Sequence, residues 1–189
     1  YCENQDYVSA GRVVRALADV VSKNGNLLLS VPIRGDGTLD EQEMKILKDL
    51  GNWMNQNGEA IYCTRPWVKY GEGPSTEMET KRNKRGEKEL WALNLLTSQD
   101  IRFTRKGDTL YAIVMAWPKE GRKVLIKSLA KGEKGFKGKV TKVTQLGVNG
   151  GTEELQFTHG DDGLEFTLSS KKPSYVMALA FRIEGLQLD

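Results

Sequence analysis

The chain has 189 residues, of which 39% are apolar and 28% are charged, and it contains 20 Gly and 5 Pro. This balance is typical of a globular protein and excludes a disordered or fibrous chain. The net charge of +3 comes from 28 basic and 25 acidic residues, too even a mixture to indicate a nucleic-acid or membrane partner.

The two cysteines, Cys2 and Cys63, exclude a disulfide-rich scaffold, and although they could form one bridge, nothing in the sequence indicates it. No run approaches the roughly 18 apolar residues of a membrane-spanning helix. The sequence opens at Tyr1 without Met and without the basic and apolar regions of a signal peptide. We therefore expect a processed or truncated N-terminus.

The first 57 residues predict a helix, a strand and a second helix. Ser9 has the character of an N-cap, and the apolar spacing after it predicts a helix over 9–23. The apolar run at 26–31 does not alternate with polar residues, which is typical of a strand buried on both faces of a parallel sheet. Asp40, with Glu three residues later, predicts the start of a helix over 40–57.

The rest of the chain predicts an exposed loop and then a series of strands. Residues 71–89 combine Gly, Pro and many charges, which indicates a long loop. Short apolar or alternating runs follow at intervals of about 8 to 12 residues, which favours a β-sandwich or barrel. The predicted strands cover 101–104, 109–117, 123–128, 138–146, 155–159, 164–168 and 175–183.

The predicted strand at 26–31 poses a physical problem. A strand of a parallel sheet needs hydrogen-bonded neighbours on both edges and apolar cover on both faces. This sequence contains only one such strand, and a sandwich would have to supply parallel crossovers to pair with it. We therefore expect its neighbours to lie on polypeptide outside this sequence.

Several blocks together resemble glycoside hydrolase family 29, the α-L-fucosidases. They are residues 19–29 (DVVSKNGNLLL), 35–38 (GDGT), 58–67 (GEAIYCTRPW), 100–104 (DIRFT) and 107–112 (GDTLYA). The resemblance implies a mixed α/β part followed by an all-β part. Residues 1–66 would be the helix-strand-helix end of a (β/α)8-like catalytic barrel, and residues 67–189 an antiparallel β-sandwich that supports it.

Members of this family are retaining exo-glycosidases that hydrolyse terminal α-L-fucosyl linkages. Their chemistry uses an Asp nucleophile and a second carboxyl as acid and base, about 5 to 5.5 Å apart. In the family both groups precede the position matching Tyr1, so the resemblance implies no catalytic residue in this chain, and we predict that it is inactive alone. It also implies no cofactor, a fucosylated glycan substrate, an extracellular or periplasmic location, and an N-terminal barrel segment as partner.

The resemblance also suggests substrate-binding residues, because barrel active sites form at the C-terminal ends of the strands. The candidates are Tyr1, Ser30, Arg34 and Asp36. Each of three candidates has a favoured structural alternative. Tyr1 could simply pack, Arg34 could be a solvated side chain, and Asp36 could belong to a plain Gly-Asp-Gly turn. The sequence departs from the family at Ser30, where Asn is common, and at Cys63, where Gly is usual.

Other functions compete with this one. The single histidine, His159, excludes a multi-histidine zinc site and leaves no metal site. The lysines of 119–142 could bind a polyanion, but they also protect exposed strand edges. Trp91, Trp117 and Tyr111 could form a sugar-stacking surface, although aromatic residues in strands more often fill a core. The alternatives are therefore a carbohydrate-binding or structural β-sandwich without catalysis, or a partner chain that completes a barrel made by another polypeptide.

Overall fold

The computed structural model describes residues 6–77, 96–118, 122–168 and 177–189. The helices are α1 (Ala10–Ser22), α2 (Glu41–Asn57) and the short α3 (Pro74–Glu77), with 3-10 turns at Gly58–Ala60 and Lys127–Leu129. The strands are β1 (Arg65–Glu72), β2 (Ile101–Lys106), β3 (Thr109–Val114), β4 (Lys123–Ile126), β5 (Phe136–Val148), β6 (Gly151–Glu154), β7 (Phe157–Gly160), β8 (Gly163–Thr167) and β9 (Leu179–Leu188).

Both predicted helices are confirmed, and each begins at the predicted cap. The Ser9 side chain accepts a hydrogen bond from the Arg12 amide at the start of α1. The Asp40 carboxylate accepts from the amides of Gln42 and Glu43 at the start of α2, at 2.9 and 2.8 Å. Each cap satisfies amide groups that have no partner inside the helix. In the described ranges, no helix is both long enough and apolar enough to cross a membrane.

The stretch predicted as a strand, 26–31, has no hydrogen-bonded neighbour in the described chain, as expected from the sequence, and it does not adopt strand structure here. The structure has no regular secondary structure between Gly25 and Arg34, and the Leu28 side chain is 95% exposed. A strand forms only when a neighbour takes up its backbone hydrogen bonds. No described strand pairs with this stretch, so the apolar run remains unpaired on the surface.

The predicted β-sandwich is confirmed. Its larger sheet has six antiparallel strands in the order β1-β2-β3-β9-β5-β6, and its smaller sheet has three in the order β4-β8-β7. Between the sheets lies one apolar core. Its largest fully buried side chains include Phe103, Phe166 and Phe181.

The six-stranded sheet is buried on its second face by α1 and α2. Tyr111, Ile113 and Met115 alternate with residues of the first core and pack instead with α1 and α2, against Ala10, Val14, Ala18 and Trp53. A strand covered on both faces has no polar side in its sequence. This explains the unbroken apolar run of β3.

Polar contacts also join the helical layer to the sheet. The Trp53 indole donates to the Ala178 carbonyl at 3.0 Å, and the Thr104 hydroxyl donates to the Ala60 carbonyl at 2.7 Å. The Arg182 guanidinium lies 3.1 Å from the Glu59 carboxylate. Within the described part of the chain, the helices are therefore fixed to the sandwich by polar contacts as well as by a second apolar core.

Two strands and part of a loop differ from the sequence prediction. β1 was not predicted, and only its last two residues fall in the loop expected at 71–89. Pro66 and Gly71 lie within it, and its pairing with β2 changes register between them, as an edge strand allows. β6 was not predicted. The loop expected at 71–89 instead begins with the end of β1 and with α3, and its remainder, residues 78–89, lies outside the described residues.

Candidate functional site

The candidate site is the connecting segment, residues 24–39, which joins α1 to α2. The chain leaves α1 at Asn24, whose φ of 64° lies in the left-handed region. The Gly25 amide donates to the Val20 carbonyl at 2.8 Å, which closes the last turn of the helix. The direction in which the segment departs is therefore set by the end of α1.

Arg34 and Asp36 lie together in one turn of this segment. The Arg34 amide donates to the Thr38 carbonyl at 2.8 Å, and the Gly37 amide donates back to the Arg34 carbonyl at 2.9 Å. Gly37 has a φ of 84°, which favours glycine there. The Asp36 Oδ1 accepts from the amide and the hydroxyl of Thr38 at 2.9 and 2.7 Å.

These contacts fix the charge state of the turn. Hydrogen bonds from the Thr38 amide and then its hydroxyl lower the pKa of Asp36, and the nearby Arg34 charge acts in the same direction. Asp36 is thus an ionised carboxylate engaged in its own turn. Arg34 is half-buried, and its guanidinium donates to the Leu39 carbonyl at 3.4 Å.

Of the other two predicted site residues, Ser30 and Tyr1, the structure describes only Ser30. Ser30 lies on the exposed stretch four residues before Arg34, with its side chain open to solvent. Tyr1 lies outside the described residues. The structure therefore brings Arg34 and Asp36 into one turn and places Ser30 on the same segment.

The connecting segment also carries an exposed apolar surface. Leu28, Leu29 and Ile33 are 95%, 39% and 56% exposed, and Val8, just before α1, is 45% exposed. Such large apolar side chains grouped on one segment are typical of a surface that another part of a protein covers.

The far end of the segment is held by the predicted cap residue Asp40 together with Tyr7, which the sequence did not indicate. The Tyr7 hydroxyl donates to Asp40 Oδ2 at 2.8 Å, while Oδ1 caps α2. Hydrogen bonds from the Glu43 amide, Tyr7 and the Gln42 amide lower the pKa of Asp40 against the effect of burial. The capping pattern identified Asp40, but nothing in the sequence indicated that Tyr7, 33 residues away, would share it.

The other candidates from the sequence have structural contacts. Tyr111 packs in the core under the helices, whereas Trp117 packs against the core between the two sheets, so these two rings do not form one sugar-stacking surface. Trp91 lies outside the described residues. His159 Nε2 lies 2.7 Å from the Leu129 carbonyl beside an open depression of about 690 Å³ on the smaller sheet.

The remaining charged candidates are partly paired. Lys123 pairs with Glu165 at 2.9 Å and Lys142 with Glu154 at 3.3 Å. Among the residues that the structure describes, no three His, Cys, Asp or Glu side chains are grouped so as to hold a metal ion.

Comparison with known families identifies the chain. Residues 1–59 match the family model described as alpha-L-fucosidase, and residues 83–184, more than half of the chain, match the alpha-L-fucosidase C-terminal domain. The chain belongs to the α-L-fucosidase family. The connecting segment falls within the first of these matches, and the strands from β2 to most of β9 fall within the second.

Individual α-L-fucosidases agree with this assignment. An alpha-L-fucosidase of Branchiostoma floridae is 32% identical over 120 residues, covering 64% of this chain and 22% of the relative. The human tissue alpha-L-fucosidase is 29% identical over 174 residues, covering 92% of this chain and 30% of the relative. The crystal structure of the Thermotoga maritima alpha-fucosidase in complex with fucose matches with a TM-score of 0.64 and 28% identity, covering 97% of this chain and 36% of that one.

The chain therefore spans less than a third of the length of these two curated relatives, 22% and 30%. Within α-L-fucosidases it corresponds to the part that includes the C-terminal domain.

Proposed function

We propose that this chain forms the C-terminal part of an α-L-fucosidase that hydrolyses terminal α-L-fucosyl linkages with retention of configuration. The observation that carries the proposal is the order of the two family matches. The alpha-L-fucosidase match precedes the C-terminal domain match, on a chain that folds as helices followed by a β-sandwich. The similar Thermotoga maritima enzyme, which was crystallised with fucose, supports the substrate class.

In this proposal the chain supplies support and binding contacts, and the catalytic carboxyls lie elsewhere in the whole protein. Retaining hydrolysis needs one carboxylate that is free to attack the sugar and a second that protonates the leaving group. Asp36 and Asp40, the acidic residues of the connecting segment and its end, are engaged in a turn and a helix cap. Both also have lowered pKa values, which does not suit a proton donor.

The proposed division places residues 1–66 at the end of the catalytic barrel and residues 67–189 in the supporting sandwich. The exposed Leu28, Leu29 and Ile33 support this division, because barrel strands upstream would cover them and pair with the backbone of 26–31. The partner is thus the N-terminal barrel segment, and Tyr1, Ser30, Arg34 and Asp36 would lie near the fucosylated glycan. We further propose an extracellular or periplasmic location.

The test compares this chain with the whole α-L-fucosidase on an aryl α-L-fucoside. The whole protein is expected to release the aglycone, and the 189-residue chain to show no turnover and no saturable binding of fucose by calorimetry. Measurable turnover by the chain alone would contradict the proposed division of the chemistry, and saturable fucose binding would favour a carbohydrate-binding module.

A substitution in the whole protein tests the proposed binding residues. Arg34→Gln is expected to raise KM for the fucoside more than it lowers kcat, because it removes a binding contact and leaves the chemistry intact. Thr167→Ala, at an exposed position of β8 in the smaller sheet, is the matched control and should leave both constants unchanged. Unaltered kinetics in Arg34→Gln would argue against a substrate contact there.

A further inference from the structure

Arg102 is a buried cation that connects the sandwich to the end of α1. Its side chain is 3% exposed, and Nε donates to Asp19 Oδ1 at 2.7 Å. Nη1 donates to the Ile101 carbonyl at 3.2 Å and Nη2 to the Ser75 hydroxyl at 2.9 Å. All three guanidinium nitrogens are thus hydrogen-bonded, as a buried charge requires.

The surroundings of Arg102 fix its position. A Cβ on Gly71 would lie 2.9 Å from Arg102 Cδ and 2.5 Å from the Ile101 carbonyl oxygen, so β1 lies directly against this side chain. Ser75 is held in turn, because its amide donates to Asp100 Oδ1 at 2.7 Å. The Tyr70 ring lies 5.7 Å from the guanidinium. The cation is therefore set in place by the sandwich.

Asp19 lies in the last turn of α1, where a negative charge is unfavourable because the helix dipole places partial negative charge at that end. Lys23 and Arg102 both donate to its carboxylate, Lys23 at 2.7 Å. Lys23 also lies 4.9 Å above the Tyr70 ring of β1. The charge of Asp19 is therefore compensated by two cations, Lys23 at the end of its own helix and Arg102 from β2 of the sandwich.

The remaining contacts of α1 with the sheet are mostly apolar. Ala10, Val14 and Ala18 face the six-stranded sheet, and such small side chains allow close approach without defining direction. Of the contacts at the C-terminal end of α1, the Asp19–Arg102 pair is directional, with Arg102 3% exposed and Asp19 20% exposed. It lies five residues before Asn24, where the connecting segment begins.

We propose that Arg102 is a positioning residue which, by holding Asp19, sets where the chain leaves α1 and so places the connecting segment relative to the sandwich. The conformational part of this inference stands on the geometry of the described residues. Its consequence for substrate binding rests on the proposed function. The sandwich would thereby act on the sugar site through one ion pair between residues 83 positions apart.

The first test measures amide hydrogen exchange in this chain for Asp19→Asn, Arg102→Gln, their combination, and Arg102→Lys. Exchange at Asn24 and Gly25 is expected to rise about tenfold in each of the first two, while amides of β3 and β9 stay protected. The double variant should exchange no faster than either single one, because the two residues act together. Arg102→Lys should give an intermediate rate, because the charge remains.

The control is Arg182→Gln, which removes another helix-to-sheet ion pair, that with Glu59, and should leave Asn24 and Gly25 protected. Faster exchange throughout the sandwich, an equal change in Arg182→Gln, or additive effects of the two single variants would overturn the proposal.

The second test uses the whole α-L-fucosidase. Arg102→Gln is expected to raise KM about tenfold and to change kcat by less than about twofold, since a displaced binding segment weakens substrate binding. Unchanged KM with a smaller fraction of active enzyme would indicate a purely structural role and overturn the positioning role at the sugar site. If the unsubstituted whole protein has no fucosidase activity, the proposed function fails, and the exchange experiment still decides the conformational inference.

Discussion

Asp100 shows how a single buried carboxylate organises several parts of this fold. It is 1% exposed, and it accepts hydrogen bonds from the amides of Ser75 and Thr97, both at 2.7 Å, and from the Thr97 hydroxyl at 3.0 Å. Burial opposes ionisation, but the hydrogen bonds from Ser75 and Thr97 outweigh it and leave the pKa of Asp100 lowered.

We predict that Asp100→Asn makes the stability of the chain less dependent on acid pH. Because the folded pKa lies below the unfolded value of about 3.9, the ionised group stabilises the fold above that pH, and this contribution is lost as the pH falls through the folded pKa. At neutral pH the substitution should cost about 1 to 3 kcal/mol, because the Ser75 and Thr97 amides donate to different oxygens of Asp100 and one of them would face the NH2 donor of Asn.

Urea unfolding at a series of pH values from neutral to about pH 3 measures this difference. The gap between Asp100→Asn and the unsubstituted chain should narrow on acidification, whereas Asp161→Asn in an exposed turn should follow the unsubstituted chain throughout. A gap that stays constant with pH would show that the charge of Asp100 does not stabilise the fold.

At the scale of elements, the helices and strands that depend on residues close together in the sequence could be predicted. Ser9 and Asp40 cap helices through amides two or three residues away, so their patterns were sufficient to predict α1 and α2. Most strands of the sandwich were likewise evident from short apolar runs between turns.

The features that could not be predicted, such as the conformation of 26–31 and the Asp19–Arg102 pair, depend on contacts between residues that are distant in the sequence. The run at 26–31 has the composition of a buried strand, but a strand needs a neighbour, and the described chain provides none. The same limit applies to the candidate site. The turn of Arg34 and Asp36 follows from its glycines, whereas the Asp19–Arg102 pair joins residues 83 apart and leaves no local pattern.

Helix α2 provides a prediction about its own stability. Gly51 lies inside α2, and a Cβ added there would meet nothing within 4 Å. Gly51→Ala should therefore stabilise the chain by about 0.5 to 1 kcal/mol, because alanine loses less backbone entropy in a helix. Thermal unfolding followed by circular dichroism measures the gain.

Gly163→Ala is the opposite case, since Gly163 has a φ of 135° and an added Cβ would lie 2.4 Å from the Ile126 carbonyl oxygen. It should destabilise the chain. A loss of stability in Gly51→Ala would mean that α2 is not a continuous helix at that position.

At the scale of the whole molecule, three layers bury two cores, while the connecting segment remains outside both. Phe166 and Leu164 of the smaller sheet are buried at 2% and 0% exposure, whereas Leu28 is almost fully exposed at 95%. Leucines at these two kinds of position should therefore contribute very differently to the free energy of unfolding of this chain.

We predict that Leu28→Gln changes the free energy of unfolding by less than about 0.5 kcal/mol, because the side chain buries almost nothing. Leu164→Ala should cost about 2 to 5 kcal/mol through loss of buried surface and the cavity that remains. Urea unfolding compares the two variants with the unsubstituted chain. A fall in the unfolding midpoint of Leu28→Gln to that of Leu164→Ala would mean that Leu28 is buried in solution.

The strand order of the larger sheet determines when this molecule can fold during synthesis. β9 follows the other described strands in the chain, yet it lies between β3 and β5 and hydrogen-bonds to both. Until it leaves the ribosome, the two halves of the sheet have no common neighbour, and β3 and β5 each present an open edge. The larger sheet can therefore close only after β9, which pairs with both halves, has been translated.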